Sequence, residues 1–276
     1  MAEIHSSAVV SKEAKLADDV VVGPLALIEG PVTIGAGSVI QGGARVIGPV
    51  TMGQRNVVHG TAVIGDWPQD RKYHGEFSET IIGDDNVFRE SVTIHRGTGL
   101  NTKTVIGSRN YFMVNTHVGH NGLIGNDITM VNGAMTAGHV QVSDRAIIGG
   151  YCAIHQFTRV GRLAMTSNGA MYNVDVPPFF IGMSTNFITQ LNRVGMIRSG
   201  MSLESINAVR RMFKFLFRTN AGRTLGHGIK ALPAELTQVA EVREFVEFCQ
   251  GTKRGIARFQ AWSSRDVDDA GERQDD

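Results

Sequence analysis

The chain has only two cysteines, Cys152 and Cys249, far apart and outside any CxxC pair, which excludes a disulfide-stapled scaffold and a cysteine zinc site. A reducing cytoplasm is therefore the expected setting. Aromatic residues make up 7% of the sequence, too few for a core built on large rings. No stretch approaches the roughly 18 consecutive apolar residues of a membrane span. The opening Met1-Ala-Glu-Ile-His lacks the basic and apolar regions of a secretory leader. Net charge is small as well, at +1, without the overall basicity of a nucleic-acid binder. That total hides a division: residues 1–192 carry 13 Lys/Arg against 15 Asp/Glu, 193–258 carry 12 against 5, and 259–276 carry 2 against 6. The basic segment is either a solvated helical face or a surface for an acidic partner.

What the chain does have is glycine, 33 residues of it, and a period of six. Apolar residues recur at every sixth position from Ile4 through Val10, Leu16, Val22 and Ile28 to Val160, with Leu100 in phase. Only Asp70, Glu76 and Thr136 break the series. Two positions before the aliphatic the side chain is usually small (Ala8, Ala26, Ser38, Ala44, Thr116, Cys152), and glycine often follows it. A period of six is neither the 3.6 of a helix nor simple strand alternation. It fits a three-sided coil in which each hexad supplies a short strand and a corner, and three hexads complete a turn. Stacked coils about 4.8 Å apart then bury one another's inner faces.

Two stretches leave this grammar. Residues 65–80 hold Trp67, Pro68 and several charges, and 97–103 form a shorter excursion; either is a surface loop or a place for binding residues. After Pro178 the period fades. Ser202 is placed to cap a helix carrying Leu203, Ile206, Val209, Met212, Phe213 and Leu216. Leu236, Val239, Val242, Phe245 and Val246 mark a second helical pattern after Pro233. The expected organisation is a β-helix over 1–195, a helical domain over 196–262 and a disordered acidic tail over 263–276.

Five of the nine histidines, His95, His117, His120, His139 and His155, fall outside the inward and small positions of the repeat. They should lie on outer faces or corners, not in the core. The three-hexad turn stacks His120, Gly138 and Gln156 in one column, flanked by His139 and His155. A histidine beneath a glycine amide is a plausible base and oxyanion donor, since imidazole moves protons near neutral pH. A zinc site on His95, His117 and His120 competes, although the HxxH step is tight on a flat strand and no acidic residue accompanies it.

Several ordered segments resemble the UDP-N-acetylglucosamine O-acyltransferases of lipid A synthesis. They are Gln69-Asp-Arg-Lys-Tyr73, Ser91-Val-Thr-Ile-His-Arg-Gly-Thr98, Asn115-Thr-His-Val-Gly-His120, Ala137-Gly-His-Val140, Ile147-Ile-Gly-Gly150, His155-Gln-Phe157 and Asp175-Val-Pro-Pro178. The resemblance implies a left-handed parallel β-helix of hexapeptide repeats with a C-terminal α-helical domain. It also implies a cytoplasmic homotrimer with active sites between subunits. The implied reaction moves a 3-hydroxyacyl chain from acyl carrier protein to the 3-hydroxyl of UDP-N-acetylglucosamine. No resident cofactor or metal is implied, because the phosphopantetheine arrives on the carrier protein.

By the same resemblance His120 matches the general base and Gly138 the backbone oxyanion donor, with Asn121 beside the base. Gln69, Asp70 and Lys72 fall on the loop that holds the sugar nucleotide. His95, His117, His139 and His155 line the cleft, while Gln156, Asn192 and Arg198 match nucleotide contacts. Met165 and Asn168 fall on the acyl-chain groove. The basic helical end would face the acidic carrier protein. Three positions depart from the family pattern: Asn121 where aspartate is usual, Ser199 where a second arginine is common, and Asn168 in place of glycine. Asn168 implies a shorter groove and so a shorter acyl chain, and the departures together leave open an amino-sugar form of the acceptor. A non-catalytic trimeric scaffold is the alternative from another class. The N-acyltransferase of the same pathway carries a further domain before its prism, whereas hexads here begin at Ile4.

Overall fold

The computed structural model describes residues 1–219, 222 and 224–261, so the expected acidic tail lies outside the described residues. Three parallel sheets form the sides of a prism. The first face has eight strands, from Glu3–Ile4 to Ile147–Ile148; the second has nine, from Val9–Val10 to Met171–Tyr172; the third has eight, from Lys15–Leu16 to Arg159–Val160. Strands pair with those one coil away, in a three-hexad register exemplified by Glu3 with Val21 and Met135 with Ala153. Ile28, Ile40, Val58, Ile94, Val118, Ile148 and Val160 point inward and are buried, as the period of six requires.

The register widens to five hexads across the first excursion (Val57 with Val87) and to four across the second (Ser78 with Thr102). The insertions therefore add two hexads and one hexad, and the inward phase survives them. One expectation fails for this reason. Leu100 matches the phase only because its excursion is one hexad long, and it is 68% exposed. Strands Val63–Asp66 and Ser78–Ile82 take up the ends of the 65–80 segment, which leaves 67–77 as the loop itself.

Corners are made by residues with left-handed backbone, including Asn115 (φ 61), Asn121 (φ 58) and His139 (φ 59). Asparagine tolerates that region better than most side chains. Inside one corner, where the repeat has small residues elsewhere, Asn56, Asn86 and Asn110 stack in a buried ladder. Asn56 Oδ1 accepts from the Asn86 backbone at 3.0 Å, and Asn86 Oδ1 accepts from the Asn110 backbone at 3.0 Å. Each asparagine thus satisfies an amide of the next coil that would otherwise be buried without a partner.

After the last coil an antiparallel hairpin, Phe180–Ser184 with Phe187–Leu191, is joined by Arg258–Phe259. Among the described residues five α-helices follow the hairpin, α1 Arg193–Arg198, α2 Leu203–Lys214, which runs on into a π-helical turn Phe215–Thr219, α3 Leu225–Lys230, α4 Ala234–Thr237 and α5 Ala240–Gln250. Ser202 caps α2 by accepting from the Ser205 amide at 3.0 Å. Ile206, Val209 and Met212 form the buried stripe of α2, whereas Leu203 remains exposed. The second helical pattern divides into α4 and α5, which buries Val242 and Phe245. Phe180, Phe213, Phe217, Phe245 and Phe259 cluster between hairpin and helices. Arg162 pairs with Glu244 at 2.6 Å, and buried Asp175 accepts from Arg159 and Thr252, fixing the helices to the last coils.

Candidate active site

The column read from the three-hexad turn is present. His139 N–H donates to the His120 carbonyl at 2.9 Å, and Phe157 N–H donates to the Gly138 carbonyl at 3.2 Å, so the coils at positions 120, 138 and 156 stack directly. Asn121 sits at a left-handed corner position that turns its amide back towards His120. Its Oδ1 lies 2.8 Å from His120 Nδ1 and also accepts from the Thr98 backbone N–H at 2.9 Å. A backbone amide can only donate, so the atom facing both groups is the oxygen. The His120 proton is therefore on Nδ1, and Nε2 carries the free lone pair.

Nε2 looks onto Gly138. A Cβ at Gly138 would come within 2.4 Å of that nitrogen, closer than real contacts allow. The Gly138 amide has no acceptor among the described residues. Some amides at the equivalent turn position are capped by the next coil, as Ser108 by Asn126 at 2.8 Å, Asn126 by Asp144 at 2.8 Å and Gly150 by Asn168 at 2.7 Å; the Gly138 amide is among those that are not. The corner beside His120 presents a bare N–H next to a bare imidazole nitrogen, so a hydrogen-bond donor for an oxyanion and a proton acceptor stand side by side.

Both excursions fold over this corner. Asp70 Oδ2 lies 3.8 Å from His120 Nε2, too long for a hydrogen bond but close enough to pair with the ring once it takes up a proton. His95 Nδ1 contacts the Trp67 carbonyl, and Arg96 donates to the Gly65 carbonyl at 2.8 Å and the Ile47 carbonyl at 3.2 Å, which anchors the root of the long loop. Glu76 accepts from the amides of His74 (2.8 Å) and Gly99 (3.0 Å), joining the two excursions. Consequently His95 and His120 are buried, although neither occupies an inward position. The expectation of outer positions holds for the coil but not for exposure, because loops cover them.

His117 meets Thr93 Oγ1 at 2.8 Å, and burial, followed by the nearness of His95 and His120, pushes its pKa down to about 4. The His139 ring stacks on Phe157 at 4.7 Å and meets His120 edge-on at 5.2 Å. Burial and then His120 lower its pKa too. Both rings are thus biased towards the neutral form beside His120. Each ring of the alternative zinc set is engaged: His95 by the Trp67 carbonyl, His117 by Thr93 and His120 by Asn121. Among the described residues no group of three or more His, Cys, Asp or Glu converges on a metal position.

Gln69 and Lys72 are exposed on the loop, and Gln156 completes the column. Beside the column, a groove of about 440 Å³ runs along the second face past His117, Met135, Ala153, Met171, Tyr172 and Thr185. His155 stands at its rim, 3.0 Å from the guanidinium of Arg254. Asn168 is tied to the Gly150 amide at the corner between first and second faces. Met165, Asn192 and Arg198 lie elsewhere, around a separate cavity of about 660 Å³ on the first face with Arg145 and Ile147. Asn192 there caps α1 and donates to the Leu163 carbonyl at 2.9 Å. One chain thus unites His120, Asn121, Gly138, His139 and Asp70, with His95 and His117 alongside, but not Asn192, Arg198 or Met165. Thr98, Arg96, Glu76 and Arg254 were not legible as site residues, since each reaches its partner through an inserted loop or the C-terminal segment.

The family profile described as Udp N-acetylglucosamine O-acyltransferase, Domain 2, matches residues 175–257. An acyl-(acyl-carrier-protein)–UDP-N-acetylglucosamine O-acyltransferase of Myxococcus xanthus is 43% identical over 260 residues, covering 94% of this chain and 100% of the relative. The enzyme of the same name from Thiobacillus denitrificans is 38% identical, with the same coverage. The Francisella novicida UDP-N-acetylglucosamine acyltransferase structure superposes with a TM-score of 0.86 at 34% identity, covering 92% of this chain and 94% of that one. With relatives matched over their full length at 38% and 43% identity and the same coiled architecture, the chain belongs to the acyl-(acyl-carrier-protein)–UDP-N-acetylglucosamine O-acyltransferase family.

Proposed function

We propose that the protein transfers a 3-hydroxyacyl chain from acyl carrier protein to the 3-hydroxyl of UDP-N-acetylglucosamine, the first step of lipid A synthesis. The observation that carries this reading is the bare His120 Nε2 beside the uncapped Gly138 amide. His120 Nε2 takes the proton of the sugar hydroxyl while that oxygen attacks the thioester carbonyl. The carbonyl oxygen gains charge and accepts from the Gly138 N–H. Collapse of the tetrahedral species expels the carrier thiolate, which recovers the proton from the imidazolium. No resident cofactor takes part. Asp70, Gln69 and Lys72 would hold the sugar nucleotide from the loop above the corner, and the apolar groove past Met135 and Met171 supports an acyl-chain role. The relatives' names favour a hydroxyl acceptor over its amino analogue.

Arg198 and Asn192 sit on the first face, whereas His120 sits at the corner of the second and third. Residues on different sides of a prism can serve one substrate only across an interface, which supports a homotrimer with intersubunit sites. The two cysteines are unpaired and buried, in keeping with a cytoplasmic enzyme.

Mixing inactive variants tests both parts. His120→Ala should lower turnover about 10²–10⁴-fold, and Arg198→Ala should be impaired in nucleotide binding. Reassembled in equal amounts, the two should regain activity at roughly a quarter of sites, those that pair an intact His120 with an intact Arg198. Full activity in His120→Ala would overturn the chemistry. No recovery on mixing would overturn the shared site.

A further inference from the structure

We propose that a cationic cavity on the third-face side of the His120 corner is a phosphate subsite for the arm of the acyl donor. This inference rests on the acyl-transfer reading and deepens it. The cavity, about 530 Å³, is lined by His139, Gln141, Phe157, Arg159, Lys253 and Arg254, with Asp175 at its base. Asp175 is 1% exposed and already accepts from the Arg159 backbone, the Arg159 guanidinium and Thr252. Arg159 and Asp175 therefore cancel. Two positive charges, on Lys253 and Arg254, are left without a carboxylate among the described residues. Arg254 is held in place by donating to the Asn173 carbonyl at 3.2 Å and by His155 Nδ1 at 3.0 Å.

Position relates the cavity to the acyl groove. The apolar groove lies on the second face, and the cationic cavity opens past the outward Gln141 and Arg159 of the third. Between them stand the stacked His139 and Phe157 rings, beside His120 and Gly138. A molecule with an acyl chain in the groove and its thioester at the corner would reach the cavity by continuing over that ridge. A carrier arm that ends in a phosphodiester places its charge there. The sugar-nucleotide diphosphate has the same chemistry, and its expected contacts, Asn192 and Arg198, line a different cavity of the chain; titration with UDP separates the two. The ridge also joins the two halves, because His155 borders the groove while its partner Arg254 lines the cavity.

Direct binding, read without turnover, tests the assignment. A 3-hydroxyacyl-phosphopantetheine, its dephosphorylated counterpart and UDP would each be titrated into the intact protein, Lys253→Ala and Arg254→Ala. In the parent protein the phosphate should strengthen binding about tenfold, as expected of two charge-assisted contacts at a solvated site. Each variant should reduce that preference to about threefold or less while UDP affinity stays unchanged. Lys253 is exposed, so its variant should keep the parent's unfolding midpoint. Equal affinity for the two arms in the parent protein would overturn the subsite. Weakened UDP binding in the variants would overturn it too, in favour of a nucleotide site. Because no turnover is read, a phosphate preference in a protein that transfers no acyl group would sink the activity alone. Turnover without that preference would sink the subsite alone.

Discussion

Adding one methyl group at Gly138 should silence the proposed base while leaving the fold in place. A Cβ there would lie 2.4 Å from His120 Nε2, 2.5 Å from Cε1 and 3.0 Å from Cδ2, so it meets the reactive edge of the ring and not a flexible tip. Ordinary contact needs about 3.5 Å, so the imidazole must retreat by about 1 Å. Its Nδ1 is held by Asn121 at 2.8 Å, and His139 and Asp70 crowd it, so retreat breaks the hydrogen bond that sets the tautomer. Misplacement by that distance costs on the order of 10²-fold, and full loss of the base up to about 10⁴-fold. Gly138→Ala should therefore lose about 10²–10⁴-fold in kcat/KM, a range fixed by those two limits. The backbone at Gly138 lies outside the left-handed region, so alanine brings no backbone strain and the unfolding midpoint should move little. Gly150→Ala is the matched control: its nearest neighbours would be at 3.4 Å, an ordinary contact, and activity should stay within about twofold. Acyl transfer from 3-hydroxyacyl carrier protein, with thermal unfolding measured in parallel, reads both variants. A Gly138→Ala enzyme that keeps wild-type turnover would refute the placement of the base.

Asn121→Asp puts a carboxylate where a neutral amide oxygen now sits 2.8 Å from His120 Nδ1. The imidazolium is then stabilised, and the acid limb of the kcat/KM profile should move to higher pH by about one unit. An unmoved limb would show that Asn121 only orients the ring. His117 gives a stability prediction. Its folded pKa is pushed down to about 4 from an ordinary 6.5, so the unfolded chain takes up the proton first as pH falls. Stability should therefore decline between about pH 6.5 and pH 4 by roughly 2–4 kcal/mol from this group. His117→Gln should flatten that part of the pH dependence in urea unfolding, and an unchanged slope would assign it to other groups.

The prism could be read from sequence because one inward side chain per hexad is a hard steric requirement. Even the excursions preserve it, since insertions of two hexads and of one keep every later strand in phase. The same arithmetic misled at Leu100, where a one-hexad loop mimics a coil. The asparagine ladder occupied a slot where the repeat led one to expect small residues, because a buried corner accepts either a small side chain or one that satisfies the next amide. His120 and Gly138 were legible as a pair because a fixed turn length converts sequence distance into adjacency. Thr98 meets Asn121, and Arg254 meets His155 from far along the chain, with no period linking either pair. Loops and C-terminal segments obey no repeat, so their contacts are set by tertiary packing alone.

The second excursion bears on the Asn121 departure. An amide oxygen beside an imidazole could point either way, because the two ends of an asparagine differ little in size. A carboxylate has no such ambiguity, since both of its ends accept. Here the Thr98 N–H, presented by the one-hexad insertion, removes the ambiguity by demanding an acceptor at the same position as His120 Nδ1–H. Thr98 is held in turn through the neighbouring Gly99 amide on Glu76, whose carboxylate also binds the His74 amide of the long loop. The loop carrying Asp70 and Lys72 is thereby tied to the group that sets the tautomer of His120. The hydrogen bonds that place the His120 proton on Nδ1 therefore run, through Thr98, Gly99 and Glu76, to the loop expected to hold the sugar nucleotide.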